Sequence, residues 1–353
     1  MECINLKGNY SEIGEKLGWW WGNFLLNHNQ NKDFYDYYLD LLNNSWQDKF
    51  TPLLINVIKY FPNIYEEIIG MTKGVLENGL KSSLLDVFAL CLGETGEVDY
   101  NCSTVILKTK DGFFLAHNEE NSDGKYYHGI YPLVLAKVEL TSLRSYRKFI
   151  SISYPFQLLG SAAGMNSNFA FQGNSIGCLG KVTKLKSRWR DSIPKTIFSR
   201  KILELETIDD IEELFNQHRA TLPNHHYIVF QDKAFSIQIR PLGKPFKKRE
   251  ISKQYEFHTN HFIDDSIWKW AAEGKKDSDD RYEYLQDSLR NGLPTKQREQ
   301  MIENIVKFLA KDKRWEKHTS ATLLFTISKT KHACEGFFYF DNPNPSSVIV
   351  EID

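Results

Sequence analysis

The sequence predicts an α+β protein in which helices come first and antiparallel sheets follow. Three observations carry that prediction. Residues 11–95 set apolar side chains, Trp19, Phe24, Tyr35, Leu41 and Leu54 among them, at helical spacing between polar ones. Near Asn101 the texture changes, and short apolar, β-branched runs separated by turn residues continue to the C-terminus. The first two runs flank Lys110-Asp111-Gly112, and Asp-Gly supplies the positive φ values that tight hairpin turns demand. Helices that precede strands, rather than alternating with them, argue for helices covering antiparallel sheets.

In order, helical spacing over 53–79 continues the first region. Strands follow at 103–108 and 113–117, then at 133–138, 148–154 and 168–174. Pro194 to about Gln217 reads as one helix, rich in Ile, Leu, Lys and Glu. A second hairpin joins Tyr227–Gln231 to Phe235–Arg240 through Asp232-Lys233. The basic stretch 242–250, with Lys244, Lys247, Lys248 and Arg249, reads as a solvated loop. Residues 278–311 are helical with a break near Gly292–Pro294, and strands return at 321–328, 336–340 and 347–352.

Composition narrows the function. Forty-four basic side chains oppose 45 acidic ones, so no charge excess points to nucleic acid or an anionic membrane. Met1–Leu17 lacks the basic start and apolar stretch of a secretory signal. Val87–Leu92, among the longest apolar runs, falls far short of the roughly 20 residues that cross a bilayer. The expectation is a soluble, cytoplasmic protein. Cys3, Cys91, Cys102, Cys178 and Cys334 are widely spaced without a Cys-x-x-Cys pair, which argues against a disulfide framework or a thiolate zinc site. Four of the five read as small buried hydrophobes.

Cys102 is the exception. It opens the first strand of the Asp-Gly hairpin, and the return strand ends in His117-Asn118-Glu119-Glu120. The end of one hairpin strand lies beside the start of the other, so a thiol meets a histidine, an amide and two carboxylates. The separation of Glu120 from Cys102 suits a shared site, with a solvated loop carboxylate as the alternative. A second cluster, Gly164-Met165-Asn166 through Asn174, offers an amide for a developing oxyanion or, equally, ordinary turn chemistry. His258 and His261, near Asp264 and Asp265, have metal-like spacing but lack a further ligand set, so no metal is expected.

These pieces resemble the acyl-CoA:6-aminopenicillanate acyltransferase-like family of N-terminal-nucleophile (Ntn) cysteine hydrolases, which includes β-alanyl-amine hydrolases. Gly8, Gly14 and Gly18 are similar to its opening glycine series, and Glu67-Ile68-Ile69-Gly70 with Gly74 to its E-x-x-G segment. Cys102-Ser103-Thr104 resembles the nucleophile motif, Ala116 to Glu120 the G-x-N-x-D strand end, and Gly164 to Asn174 the G-x-N…N segment. Pro194 with Arg200, Thr259-Asn260-His261, and Ser278 with Arg281 match further motifs. Asn101, Ala116 and Glu120 stand where the family commonly has Gly, Gly and Asp.

The resemblance implies an Ntn-hydrolase αββα sandwich with a helical N-terminal segment. It implies self-cleavage between Asn101 and Cys102 into segments 1–101 and 102–353 that stay associated. Cys102 is then the nucleophile, with its own freed α-amine as base. Asn174 stabilises the oxyanion and Glu120 orients the amine. His117, Asn118, Asn166, Arg200, Asn260 and His261 are its candidate substrate contacts. The implied substrate is a small linear amide or an acyl-CoA-type thioester, and no cofactor is needed. Two other classes stay open: an unprocessed, catalytically weak binding protein, and a cysteine protease pairing Cys102 with His117 or His261, although the flanking motifs of that class are absent.

Overall fold

The protein is described here by a computed structural model covering residues 3–27, 47–92, 100–121, 133–142, 145–154, 156–176, 191–240, 246–261, 276–290, 319–338, 347–352 and a few positions between 300 and 307. Among the described residues, strand β1 (Cys3–Gly8) is followed by helices α1 (Tyr10–Asn27), α2 (Gln47–Tyr60), α3 (Pro62–Glu77) and α4 (Leu84–Leu92). Strands β2 (Tyr100–Lys108), β3 (Gly112–Asn121), β4 (Val134–Ser142), β5 (Ser145–Ser153), β6 (Ala163–Asn166) and β7 (Phe169–Ser175) follow. Then come α5 (Lys195–Ile202), α6 (Ile208–Gln217), β8 (Asn224–Phe230), β9 (Ala234–Ile239), β10 (Lys247–Glu250), β11 (Tyr255–His258) and α7 (Lys276–Arg290). Strands β12 (Thr319–Ser328), β13 (His332–Phe338) and β14 (Ser347–Glu351) close the chain.

The strands form two sheets, of order β1-β4-β5-β6-β7-β8-β9-β10 and β11-β2-β3-β12-β13-β14. Three buried apolar clusters separate four layers, which gives the expected αββα sandwich. The first joins Trp21, Phe50, Ile68 and Phe88 of the early helices to Val134, Phe149, Phe171 and Ile237 of the large sheet. The second lies between the sheets, with Ile106 and Leu115 against Ile150, Met165 and Val229. The third packs Val105, Leu107 and Ala116 of the small sheet on Leu285 and Leu289 of α7. Alternation along each strand sends neighbours into different clusters. Core residues on both sides of the 101/102 boundary share the first cluster.

Helices α1 and α3 cross with their backbones almost touching. A Cβ on Gly14 or Gly18 would stand 2.0 or 2.1 Å from the carbonyl oxygens of Glu67 and Met71, and one on Gly70 or Gly74 would stand 2.1 or 2.0 Å from those of Ser11 and Glu15. The glycine series quoted above thus serves this crossing. Buried beside it, Arg200 of α5 donates from Nε to Glu67 of α3 at 2.8 Å, with Nη2 at ion-pair distance, 2.7 Å, from the same carboxylate and Nη1 2.8 Å from Glu204.

Several local expectations change. The helix over 194–217 is two, because Thr207 forms a capping box with Asp210 that starts α6. The basic loop over 242–250 contains β10, an exposed edge strand paired to β9, where charge discourages further pairing. Strand β1 was not foreseen and pairs in parallel with β4. Tyr35, Leu41, Cys178, Asp264, Asp265 and the 292–294 break lie outside the described residues. Among the described residues, no helix is long and apolar enough to cross a membrane.

Candidate active site

Strands β2 and β3 form the expected hairpin, closed by the Thr109 N–H on the Gly112 carbonyl at 2.8 Å. Cys102 sits opposite Glu119, Ser103 opposite Asn118, Thr104 opposite His117 and Asn101 opposite Glu120. Ile106 and Leu115 face the large sheet, so Cys102, Thr104, His117 and Glu119 share that inner face by alternation. Ser103, Asn118 and Glu120 belong to the outer face, toward α7.

On the inner face the polar atoms form one chain. The Cys102 thiol lies 3.6 Å from Glu119 Oε2, which also accepts from the Tyr154 hydroxyl. Glu119 Oε1 is 2.8 Å from His117 Nε2, and His117 Nδ1 is 2.8 Å from Thr104 Oγ1. Thr104 Oγ1 donates to Asn174 Oδ1 at 3.0 Å. That leaves Asn174 Nδ2, buried on β7, with no partner among the described residues. Burial pushes the Cys102 thiol well above its usual range; Glu119 and Glu120 add to the rise, and Lys195 and Arg281 oppose it. At neutral pH it is a thiol beside an acceptor.

The outer face fixes the Cys102 backbone. Its N–H donates to Asn260 Oδ1 at 2.7 Å, and Asn260 Nδ2 donates to the Ser175 carbonyl at 2.8 Å. Arg281 Nη1 reaches the Cys102 carbonyl at 2.8 Å, Ser103 Oγ at 2.7 Å and Glu120 Oε2 at 2.8 Å, and Nη2 reaches Asn260 Oδ1 at 3.0 Å. Glu120 Oε1 accepts from Ser103 Oγ at 3.0 Å. Ser278 and Arg281, three apart on α7, occupy one helix face, and Ser278 Oγ accepts the Asn260 N–H at 2.9 Å.

The structure therefore gathers Cys102, His117, Asn174 and Asn260, with the Asn101–Cys102 peptide in the same strand. Glu120 is placed on the opposite face from the thiol, and so is Asn118, which accepts from Thr322 Oγ1 at 2.7 Å. His261 packs against Tyr282 and lies 3.2 Å from Ser278 Oγ. Asn166 caps the β6–β7 turn, accepting from the Asn168 and Phe169 amides, about 17 Å along β7 from Asn174. Arg200 lies on the helix side of the large sheet. Neither Asn166 nor Arg200 is brought to the thiol. Glu119, Tyr154 and Thr104 are, and strand alternation from the correct register would have marked Glu119 and Thr104.

The inner face continues into a neutral polar strip. His225 and His258 rings stand 4.0 Å apart, and burial holds both well below the usual histidine range. His225 Nδ1, His258 Nδ1 and the Tyr227 hydroxyl lack partners among the described residues. His258 Nε2 faces the His261 carbonyl at 2.5 Å, an arrangement unlike a shared metal centre. Ligand-type atoms of Cys102, His117 and Glu119 fall within 4.8 Å of one another, a spacing that would admit a cation. Both ring nitrogens of His117 are, however, already engaged by Thr104 and Glu119.

A model of the acyl-coenzyme A:6-aminopenicillanic acid acyl-transferase family matches residues 107–343, two thirds of the chain, beginning just after Cys102 in β2. Among solved structures, a Caenorhabditis elegans ortholog of N-acylethanolamine-hydrolyzing acid amidase is similar at a TM-score of 0.49 and 11% identity, covering 64% of this chain and 92% of that one. No curated protein matches the sequence.

Proposed function

The chain belongs to the acyl-coenzyme A:6-aminopenicillanic acid acyl-transferase family, and from that premise we propose that it is a self-activating cysteine amidase or acyltransferase with Cys102 as nucleophile. The observation that carries this reading is the inner face of the hairpin: a buried thiol beside a carboxylate, with a free amide donor linked to it through Thr104 and His117.

In the proposed mechanism the Asn101–Cys102 bond is cut first, freeing the Cys102 α-amine. Such an amine has a pKa near 7.7–8.0, so a useful fraction is neutral at physiological pH and can take the thiol proton. Asn260 Oδ1, already on the Cys102 nitrogen, holds the amine in place. Cys102 attacks an amide or thioester carbonyl. Asn174 Nδ2 donates to the oxyanion, a type of contact worth about 2.7–4 kcal/mol. The amine or thiol of the substrate leaves, and water or a second amine takes the acyl group from sulfur. Glu120 serves this centre through Arg281 rather than by touching the amine. The neutral strip of Tyr227, His225 and His258 favours an uncharged small substrate over a charged one.

Intact-mass measurement of purified protein tests the reading. Wild type should give a chain beginning Cys-Ser-Thr, and Cys102→Ala should stay whole. A wild type that remains whole through long incubation while turning over small amides would refute the Ntn mechanism. Turnover of casein, with none of N-acyl amines, β-alanyl amines or acyl-CoA thioesters, would refute the substrate class.

A further inference from the structure

Cleavage creates the α-amine, so the first cleavage must proceed without it. In the uncut chain the Cys102 nitrogen is a peptide nitrogen whose N–H is bonded to Asn260. It has no basic lone pair, and some other group has to accept the thiol proton. We propose that Glu119 is that acceptor, a catalytic base for self-cleavage, and that His117 positions it. This inference rests on the self-cleavage reading above.

Geometry selects Glu119. Its Oε2 lies 3.6 Å from Sγ, and both residues are buried on the same strand face. Glu120 is on the other face, committed to Ser103 and Arg281. His117 has no open nitrogen toward the thiol, since Nδ1 faces Thr104 and Nε2 faces Glu119. Its path to sulfur runs through the carboxylate.

Counting protons sharpens the assignment. A hydroxyl has a single proton, and that of Thr104 goes to Asn174 Oδ1, so His117 Nδ1 must carry a proton and donate it to Thr104. The 2.8 Å contact between Nε2 and Oε1 then needs one more proton between them. The Nε2–Oε1 contact therefore holds one proton. Oε2, with the Tyr154 hydroxyl on it, is left to face the thiol. The same chain orients Asn174 with its amide N–H groups unpaired among the described residues.

The step balances as follows. Glu119 Oε2 takes the proton from Sγ, and sulfur bonds to the Asn101 carbonyl carbon. The carbonyl π pair moves to oxygen. Collapse breaks the bond from that carbon to the Cys102 nitrogen, and the proton held by the Glu119–His117 pair passes to the nitrogen. A thioester and a free α-amine result. Water hydrolyses the thioester, giving the Asn101 carboxylate and restoring the thiol.

The test is a cell-free synthesis and chase, following the appearance of the cut chains. Glu119→Gln, which keeps shape but removes the acceptor, should slow first-order cleavage at least about a hundredfold, the usual range for a lost general base. His117→Leu should slow it to a similar degree, and His117→Gln, which still donates to Oε1, should recover to within about tenfold of wild type. Hydroxylamine, which cleaves thioesters, should rescue none of the slow variants, because the thioester never forms. If Glu119→Gln fails to fold, the chase is read on Glu119→Asp, expected to slow at least tenfold because the shorter arm withdraws the acceptor. Wild-type rates in Glu119→Gln or Glu119→Asp, or full rescue of either by hydroxylamine, overturn this proposal alone. A wild type that never cuts overturns the self-cleavage reading and this proposal with it.

Discussion

Glu120 and Arg281 form a buried ion pair that holds the nucleophile by its backbone carbonyl, and Glu120→Gln measures what that arrangement is worth. The two side chains are 2% and 0% exposed and their charged atoms are 2.8 Å apart. The same guanidinium holds the Cys102 carbonyl, Ser103 Oγ and Asn260 Oδ1. Gln can still accept from Ser103, but it removes the carboxylate that offsets the Arg281 cation. Breaking a buried pair from one side costs about 3–5 kcal/mol. Arg281 keeps its other acceptors, so the expected loss is near the lower end, about 3 kcal/mol. An exposed carboxylate would cost under about 0.5 kcal/mol. Urea unfolding should be done in a Cys102→Ala background, where the chain stays single. Arg281→Met and the double variant complete a cycle, which should show a coupling of at least about 1 kcal/mol. On the Cys102 background, turnover by Glu120→Gln should fall at least about tenfold as the Asn260 anchor loosens. Near-wild-type stability with additive single effects would show that the pair does not hold the site.

Three further outcomes are expected. Gly70→Ala should destabilise by about 1–3 kcal/mol, because its Cβ meets the Ser11 carbonyl at 2.1 Å and backbone cannot step aside; a gain of about 1 kcal/mol, as helix propensity alone gives, would refute the close crossing. Asn174→Ala should lower kcat by about a hundredfold or more while stability changes far less, and an unchanged kcat would remove Asn174 Nδ2 from the oxyanion. His225, His226 and His258 are buried and neutral, His226 with its pKa lowered to about 3. Unfolding releases them to bind protons near pH 6.5, so stability is present above that pH and lost below it. Urea unfolding at pH 5.5 should show about 4 kcal/mol less stability than at pH 7.5, and equal values would contradict the burial of neutral rings.

The sequence made the hairpin and its thiol–carboxylate meeting legible, because Asp111-Gly112 punctuates two apolar runs. It did not settle which carboxylate. A three-residue tip of Lys110-Asp111-Gly112 would set Cys102 opposite Glu120, whereas the observed tip, Lys110-Asp111 closed from Thr109 to Gly112, sets it opposite Glu119, and a one-residue slip moves every side chain to the other face. That slip is the whole difference between Glu120 and Glu119. The family motifs were legible as a set, but not what each does. Gly14, Gly18, Gly70, Gly74, Glu67 and Arg200 meet one another at the helix crossing, whereas Cys102, Asn174, Asn260, Ser278 and Arg281 meet at the thiol. Spacing along the chain cannot separate scaffold from site when both are assembled by long-range contacts. Strand β1 was hidden for a related reason: six residues of mixed polarity gain their meaning from β4, far along the chain.

That parallel pairing has a kinetic consequence. β1 lies on the N-terminal side of the proposed cut and β4 on the other, yet they are neighbours in one sheet, and α1 to α4 cover the same sheet through a common core. Before cleavage, refolding is a search by a single tethered molecule. Afterwards it is an encounter between two chains, each carrying half of an apolar face, and its rate falls with dilution. Maturation would thus change what protects the protein: a reversible equilibrium before the cut, and only the slowness of unfolding after it.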